Sequence, residues 1–211
     1  MAVGSGRGAL IILEGLDRSG KTTQCKKLLE SLRSHQHKVK LIKFPDRTTE
    51  TGKMIDSYLK QNMKIDDRAI HLLFSANRWE KRLEMLKDLE QGITLIVDRY
   101  AFSGVAFSSA KKGLELEWCK CPDRGLPKPD LVIFLNVSSS DAASRGGYGE
   151  ERYENTEFQK TVANNFKRMW DEWKVIDAGG SIDDVHQTIL NYVKSTMQSV
   201  DDKPIGELWI R

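Results

Sequence analysis

An apolar run that halts at a glycine and resumes as a helix on Lys-Thr leaves a chain few folds to adopt. Here Leu10-Ile11-Ile12-Leu13-Glu14-Gly15 is followed by Leu16-Asp17-Arg18-Ser19-Gly20-Lys21-Thr22-Thr23. The residues predict a strand, a glycine-bounded loop and a helix start, which is the P-loop pattern in its proper context. Glycines let backbone N–H groups approach and wrap a polyphosphate. Lys21 can neutralise the outer phosphates, and the Thr22 hydroxyl can hold Mg²⁺. The helix from Thr22 adds its positive dipole end at the same spot. A chance glycine-rich turn is the competing reading, and the apolar strand ahead of it argues against that.

Short apolar runs rich in branched residues recur at 9–13, 39–44, 93–97, 131–137 and 175–176. Helical spacing fills the intervals, at 22–34, 66–89, 156–173 and 182–197, with a shorter segment at 101–111. Alternating strand and helix predicts an α/β fold whose parallel sheet is covered on both faces. Right-handed crossovers then bring the strand C-termini to one edge, where such folds bind ligands. The 211 residues suit a single domain, and 39% hydrophobic with 30% charged residues suits a globular enzyme.

The remaining bulk features narrow the partners. A net charge of +3, with cations set among acids as in Lys81-Arg82-Leu83-Glu84, argues against a nucleic-acid partner. No apolar span long enough for a membrane helix is present. Cys25, Cys119 and Cys121 are odd in number and lack a second cluster to close a zinc site, so free thiols in a reducing compartment are expected. Met1-Ala2-Val3-Gly4 shows no signal-peptide core. The expected location is cytoplasmic, with nuclear or mitochondrial pools left open.

Each strand end carries a candidate. Phe44-Pro45-Asp46-Arg47 is either a solvated turn or a phosphate clamp built on the Arg47 fork. Asp98-Arg99-Tyr100 places an acid where a metal-linked carboxylate is expected downstream of a P-loop, with Arg99 as a second cationic fork. Asp98 could instead cap the following helix. Phe74 and Arg78 are four apart and share a helix face. They read either as core or as a platform on which Phe74 stacks a flat base while Arg78 donates to its carbonyl. The glycine-rich, charged stretch 144–154 is a solvated loop or a lid that closes over a triphosphate and excludes water. Asp177-Ala178-Gly179-Gly180 could supply backbone contacts to an adenine. Leu208 and Trp209 in the tail are expected to dock on the body.

Taken together, Glu14–Thr22, Phe44–Arg47, Leu73–Trp79 and Asp98-Arg99-Tyr100-Ala101-Phe102-Ser103 resemble the thymidylate kinases. The likeness runs through Gly125–Asp130 to the Gly-Glu-Leu-Trp tail, and it is similar to the eukaryotic and poxvirus branch of the P-loop nucleoside monophosphate kinases. The resemblance implies a five-stranded parallel core with a lid over about 138–159, a homodimer, and ATP-dependent, Mg²⁺-assisted phosphorylation of dTMP to dTDP. For catalysis it implies Arg18, Lys21, Asp17 and Arg99. For ATP it implies Arg18, Ser19, Gly20, Lys21, Thr22, Thr23, Arg145, Asp177, Ala178 and Gly179, and for the metal Thr22 and Asp98. For dTMP it implies Asp17 at the 3′-hydroxyl, Arg47 and Arg99 on the phosphate, Phe74 and Arg78 on the base, and Phe107 crowding the sugar 2′ position. Phe44, Tyr100, Gly104, Glu151, Tyr153 and Gln159 complete that set. One departure is Asp46, where many relatives carry Glu.

Three rival readings run against particular residues. A regulatory GTPase needs an Asn-Lys-x-Asp element for guanine, and the chain has none. A kinase of UMP, GMP or AMP does not account for Asp-Arg inside the P-loop or for the Phe74/Arg78 pair. A catalytically dead scaffold does not account for intact Lys21, Thr22, Arg18, Asp98 and Arg99.

Overall fold

The computed structural model describes residues 6–138, 152, 153 and 155–210. Five parallel strands form one sheet in the order β2-β3-β1-β4-β5. They are β1 (Leu10–Gly15), β2 (Val39–Lys43), β3 (Thr94–Asp98), β4 (Leu131–Asn136) and β5 (Lys174–Asp177). The helices are α1 (Lys21–Ser34), α2 (Glu50–Leu59), α3 (Asp67–Glu90), α4 (Ala101–Ser108), α5 (Leu116–Lys120), α6 (Thr156–Lys167) and α7 (Ile182–Ser199). β1 lies at the centre, with Leu10 opposite Leu95 on one side and Ile11 opposite Leu131 on the other.

Strand alternation sorts the core into two layers. Ile11 and Leu13 point into a layer with Leu28 and Leu32 of α1 and Val185, Ile189 and Val193 of α7. Leu10 and Ile12 point the other way, against Met85 and Leu89 of α3, Val105 of α4 and Phe166 of α6. β1 is buried along its whole length, so it reads as a continuous apolar run. The chain leaves β1 toward one face through α1 and leaves β3 toward the other through α4. The neighbouring C-terminal ends of β1 and β3 therefore open a crevice, the place where ligands bind in open α/β sheets.

Caps fix the helix starts. Asp66 accepts from the N–H groups of Arg68 and Ala69, Asn155 from those of Glu157 and Phe158, and Ser181 from that of Asp184. The expected tail docking is present: Leu208 is buried, and Glu207 bridges to Pro127.

Three expectations need correction, and one helix is new. The helix foreseen over 156–173 stops at Lys167, because the chain turns to feed β5. Trp170 and Trp173 instead pack their rings against Phe134. The segment foreseen over 101–111 is helical only to Ser108. Asp98 is not a helix cap, since the cap position of α4 falls on Tyr100. Helix α2 is an unforeseen element: its apolar residues Met54, Ile55, Tyr58 and Leu59 recur at helical spacing for little more than one turn, and its first turn carries none. A Thr49 cap starts it, and Gly52 is needed because a Cβ there would lie 1.8 Å from the Asp46 carbonyl oxygen.

Candidate active site

The crevice is a cleft of about 720 Å³. Its floor is the loop after β1, and its walls come from α1, the end of β2, α3 and α4. The loop is held by two glycines. Gly20 precedes α1 at φ 92°, a conformation that L side chains rarely adopt. At Gly15 a Cβ would lie 2.7 Å from the Leu135 carbonyl oxygen. Lys21 Nζ donates to the Leu16 carbonyl at 2.6 Å and to Ser19 Oγ at 3.2 Å, bridging the loop from inside. Burial first, and then the Arg99 cation, lowers the Lys21 ammonium to about 8. A phosphate in the loop would act in the opposite sense and favour the charged form.

The β3 end supplies the facing groups. Asp98 Oδ2 accepts from Thr22 Oγ1 at 2.6 Å. Arg99 Nη2 donates to Asp17 Oδ1 at 2.5 Å, and Arg99 Nη1 donates to the Gly15 carbonyl and to Ser103 Oγ. Asp17 Oδ2 accepts from Gln159 Nε2 at 2.7 Å, which ties α6 to the loop. Two cleft cations, Arg18 at φ 64° and Arg99 at φ 69°, hold left-handed backbone.

The group that sets the Arg99 wall is not among the expected site residues. Glu14, fully buried, accepts from the N–H groups of Tyr100 and Ser103 at 2.9 and 3.0 Å and from Ser103 Oγ at 2.5 Å. Its carboxylate therefore caps α4 from across the sheet. Burial raises its pKa, opposed by the Ser103 hydroxyl and the Arg99 cation.

At the other end of the cleft stand Phe44, Phe74, Arg78, Gly104, Phe107 and Tyr153. Arg78 is held from behind: Nε and Nη2 donate to the two oxygens of Asp123 at 3.0 and 2.6 Å, in a pair 3% and 0% exposed. Ser75 also donates to Asp123. Gly104 gives Arg78 room, since a Cβ there would sit 2.8 Å from Nη2. The Tyr153 ring stacks on Phe158 and tilts against Phe107, whose ring lies under Arg99.

The structure thus brings to the cleft Asp17, Arg18, Ser19, Gly20, Lys21, Thr22, Thr23, Phe44, Arg47, Phe74, Arg78, Asp98, Arg99, Tyr100, Gly104, Phe107, Tyr153 and Ala178. Gln159 reaches it through Asp17. Asp177 and Gly179 do not line it; the Asp177 carboxylate turns back to accept from the Gly179 N–H, and Gly180, Ile182 and Val185 form that wall instead. The Tyr100 ring lines the cleft, but its hydroxyl donates to the Pro127 carbonyl. Arg145 and Glu151, with most of the expected lid, lie outside the described residues.

Comparison with known proteins places the chain among one family. The family model described as thymidylate kinase matches residues 13–189. The human thymidylate kinase is 50% identical over 207 residues, covering 96% of this chain and 98% of that protein. The Schizosaccharomyces pombe thymidylate kinase is 55% identical over 196 residues, covering 90% and 93%. The solved structure of the Candida albicans thymidylate kinase superposes with a TM-score of 0.88 at 37% identity, covering 97% of this chain and 99% of that one.

Proposed function

The chain belongs to the thymidylate kinase family, and on that premise we propose how its cleft phosphorylates dTMP to dTDP with ATP. One observation carries the reading: a P-loop lysine and two arginine forks, Arg47 and Arg99, line the same cleft with Arg18. Two polyanions must meet end to end, and cations supplied at both ends permit it. Lys21 and the loop amides receive the ATP phosphates. Arg47 and Arg99 receive the dTMP phosphate. Phe74 stacks the thymine, and Asp17 accepts from the sugar 3′-hydroxyl. Arg18 reaches the moving phosphoryl group. The acceptor phosphate is already a nucleophile at neutral pH, so alignment and charge stabilisation are the main tasks.

The donor set fits Mg²⁺. Thr22 supplies a hydroxyl and Asp98 a buried carboxylate 2.6 Å from it, and no cluster of three or more acidic, His or Cys side chains suited to a metal occurs among the described residues. Mg²⁺ favours such sparse protein ligation, completed by phosphate and water. When bound there, the ion would neutralise charge on the ATP phosphates.

The whole chain is read as one domain built on the single sheet, with a cytoplasmic location supported by the free, exposed Cys121 thiol. No helix among the described residues is long and apolar enough to cross a membrane. A homodimer is supported by an apolar stripe along the outer face of α3, where Leu72, Trp79 and Leu83 are all exposed and Leu83 is 75% so. Leu83→Glu is expected to convert the dimer to monomer in sedimentation velocity; an unchanged dimer peak would remove α3 as the interface.

The activity reading is tested by ADP release with ATP and each nucleoside monophosphate in turn. dTMP should give the highest kcat/KM, and a chain that bound both nucleotides without forming dTDP would refute the proposal.

A further inference from the structure

Behind the base end of the cleft lies a buried chain of hydrogen bonds that the phosphoryl-transfer mechanism does not use. His71 and Ser108 are both buried, and of the two only Ser108 lines the cleft. His71, Phe74 and Arg78 are three and four residues apart on α3, while Gly104 and Ser108 are four apart on α4. The two ladders therefore present neighbouring faces to the same end of the cleft. His71 Nε2 lies 2.9 Å from the Cys119 carbonyl oxygen, and His71 Nδ1 lies 2.8 Å from Ser108 Oγ.

The direction of each bond follows from the end of the chain. A carbonyl oxygen only accepts, so Nε2 carries a proton. Burial, followed by the nearby Arg78 cation, lowers the imidazole to about 4, so the ring is neutral at cellular pH. A neutral ring protonated on Nε2 has a bare lone pair on Nδ1. The Ser108 hydroxyl must then donate to Nδ1, and the oxygen keeps only acceptor capacity toward the cleft.

We propose that His71 is a positioning residue that fixes Ser108 as a one-way acceptor, and that Ser108 reads the ring N3–H of the substrate base beside the Arg78 donors. This rests on the reading that the base sits against Phe74 and Arg78. Thymine offers a carbonyl acceptor next to a ring N–H donor. Cytosine offers the reverse, an amino donor next to a bare ring nitrogen. A wall reading donor from Arg78 and acceptor from Ser108 matches the first and leaves two mismatched polar contacts with the second, which a buried site penalises heavily.

The test compares kcat/KM for dTMP, dCMP and N3-methyl-dTMP in the wild type and in Ser108→Ala, Ser108→Thr and His71→Phe. Wild type is expected to reject both analogues. Ser108→Ala should lose about tenfold in kcat/KM for dTMP, mostly through KM, and should accept N3-methyl-dTMP about as well as dTMP. Ser108→Thr keeps the hydroxyl and should keep the wild-type preference. His71→Phe frees the hydroxyl to rotate, so it should raise kcat/KM for dCMP, a gain that simple loss of structure cannot produce. The KM for ATP, measured in every variant, reports whether the rest of the cleft is intact. If Ser108→Ala, with an unchanged ATP KM, preserves the preference for dTMP over both analogues, the relay is wrong. Wild-type turnover of dTMP separates that failure from failure of the activity reading itself.

Discussion

Arg18→Ala is expected to lower kcat by ~10³-fold or more while leaving the KM for dTMP within about threefold of wild type. The reason lies in where charge appears during transfer. In the loose transition state negative charge spreads over the oxygens of the moving group, and a guanidinium aimed there stabilises that state more than the ground state. Arg18 stands in the loop between Asp17 and Ser19 and lines the same cleft as Lys21, Arg47 and Arg99, so its guanidinium can face the group that moves between the two nucleotides. Alanine keeps the loop length and removes the fork. Single-turnover rates with saturating ATP and dTMP measure the effect. A rise in KM with kcat unchanged would show that Arg18 binds substrate without favouring the transition state. Arg18→Lys is expected to recover only part of the rate, because a point charge cannot match two oxygens at once.

What the chain disclosed in advance depends on how local each interaction is. The P-loop was legible because strand, glycines, Lys21 and Thr22 are consecutive and each has a local reason to be there. The α/β architecture, a sheet covered on both faces, was legible because β1 and α1 carry unbroken patterns of their own. The Thr22–Asp98 bond spans 76 residues, yet Thr22 opens the helix after β1 and Asp98 closes the neighbouring β3, at the sheet edge where topology gathers ligands. Glu14 was not read as a helix cap, because its partners lie 86 and 89 residues away. An acid closing a buried strand was the one signal available. Nothing local marks His71 within its helix, since its partners Ser108 and Cys119 are 37 and 48 positions distant. Fine boundaries were lost where tertiary packing overrode pattern, as at Trp170 and Trp173. Their spacing continues that of a helix, but their rings belong to the cluster around Phe134.

Asp123→Ala is expected to destabilise the protein by about 3–5 kcal/mol, because it leaves the Arg78 charge buried without its partner. Nothing in Cys121-Pro122-Asp123 announced this role; the carboxylate sits in a short 3₁₀ turn 45 residues from the arginine it holds. Both side chains are sealed from water, and Asp123 accepts three hydrogen bonds, two from Arg78 and one from Ser75. Water cannot readily replace those bonds, so the cost is that of an orphaned cation rather than of a surface ion pair. For a chain of this size the loss corresponds to a fall in Tm on the order of 10 °C. Urea unfolding of the single variant should show a lower midpoint at unchanged slope. The double variant Arg78→Met/Asp123→Leu removes both charges and is expected to regain much of the stability while failing to bind dTMP tightly. That split separates the two roles of the pair. The ion pair itself need not stabilise the fold, but with one half removed it destabilises strongly, and only the intact pair holds the Arg78 donors where a base can meet them. A single variant within about 1 kcal/mol of wild type would mean that Arg78 finds another partner or reaches solvent, and the rigid base end of the cleft would no longer explain selectivity.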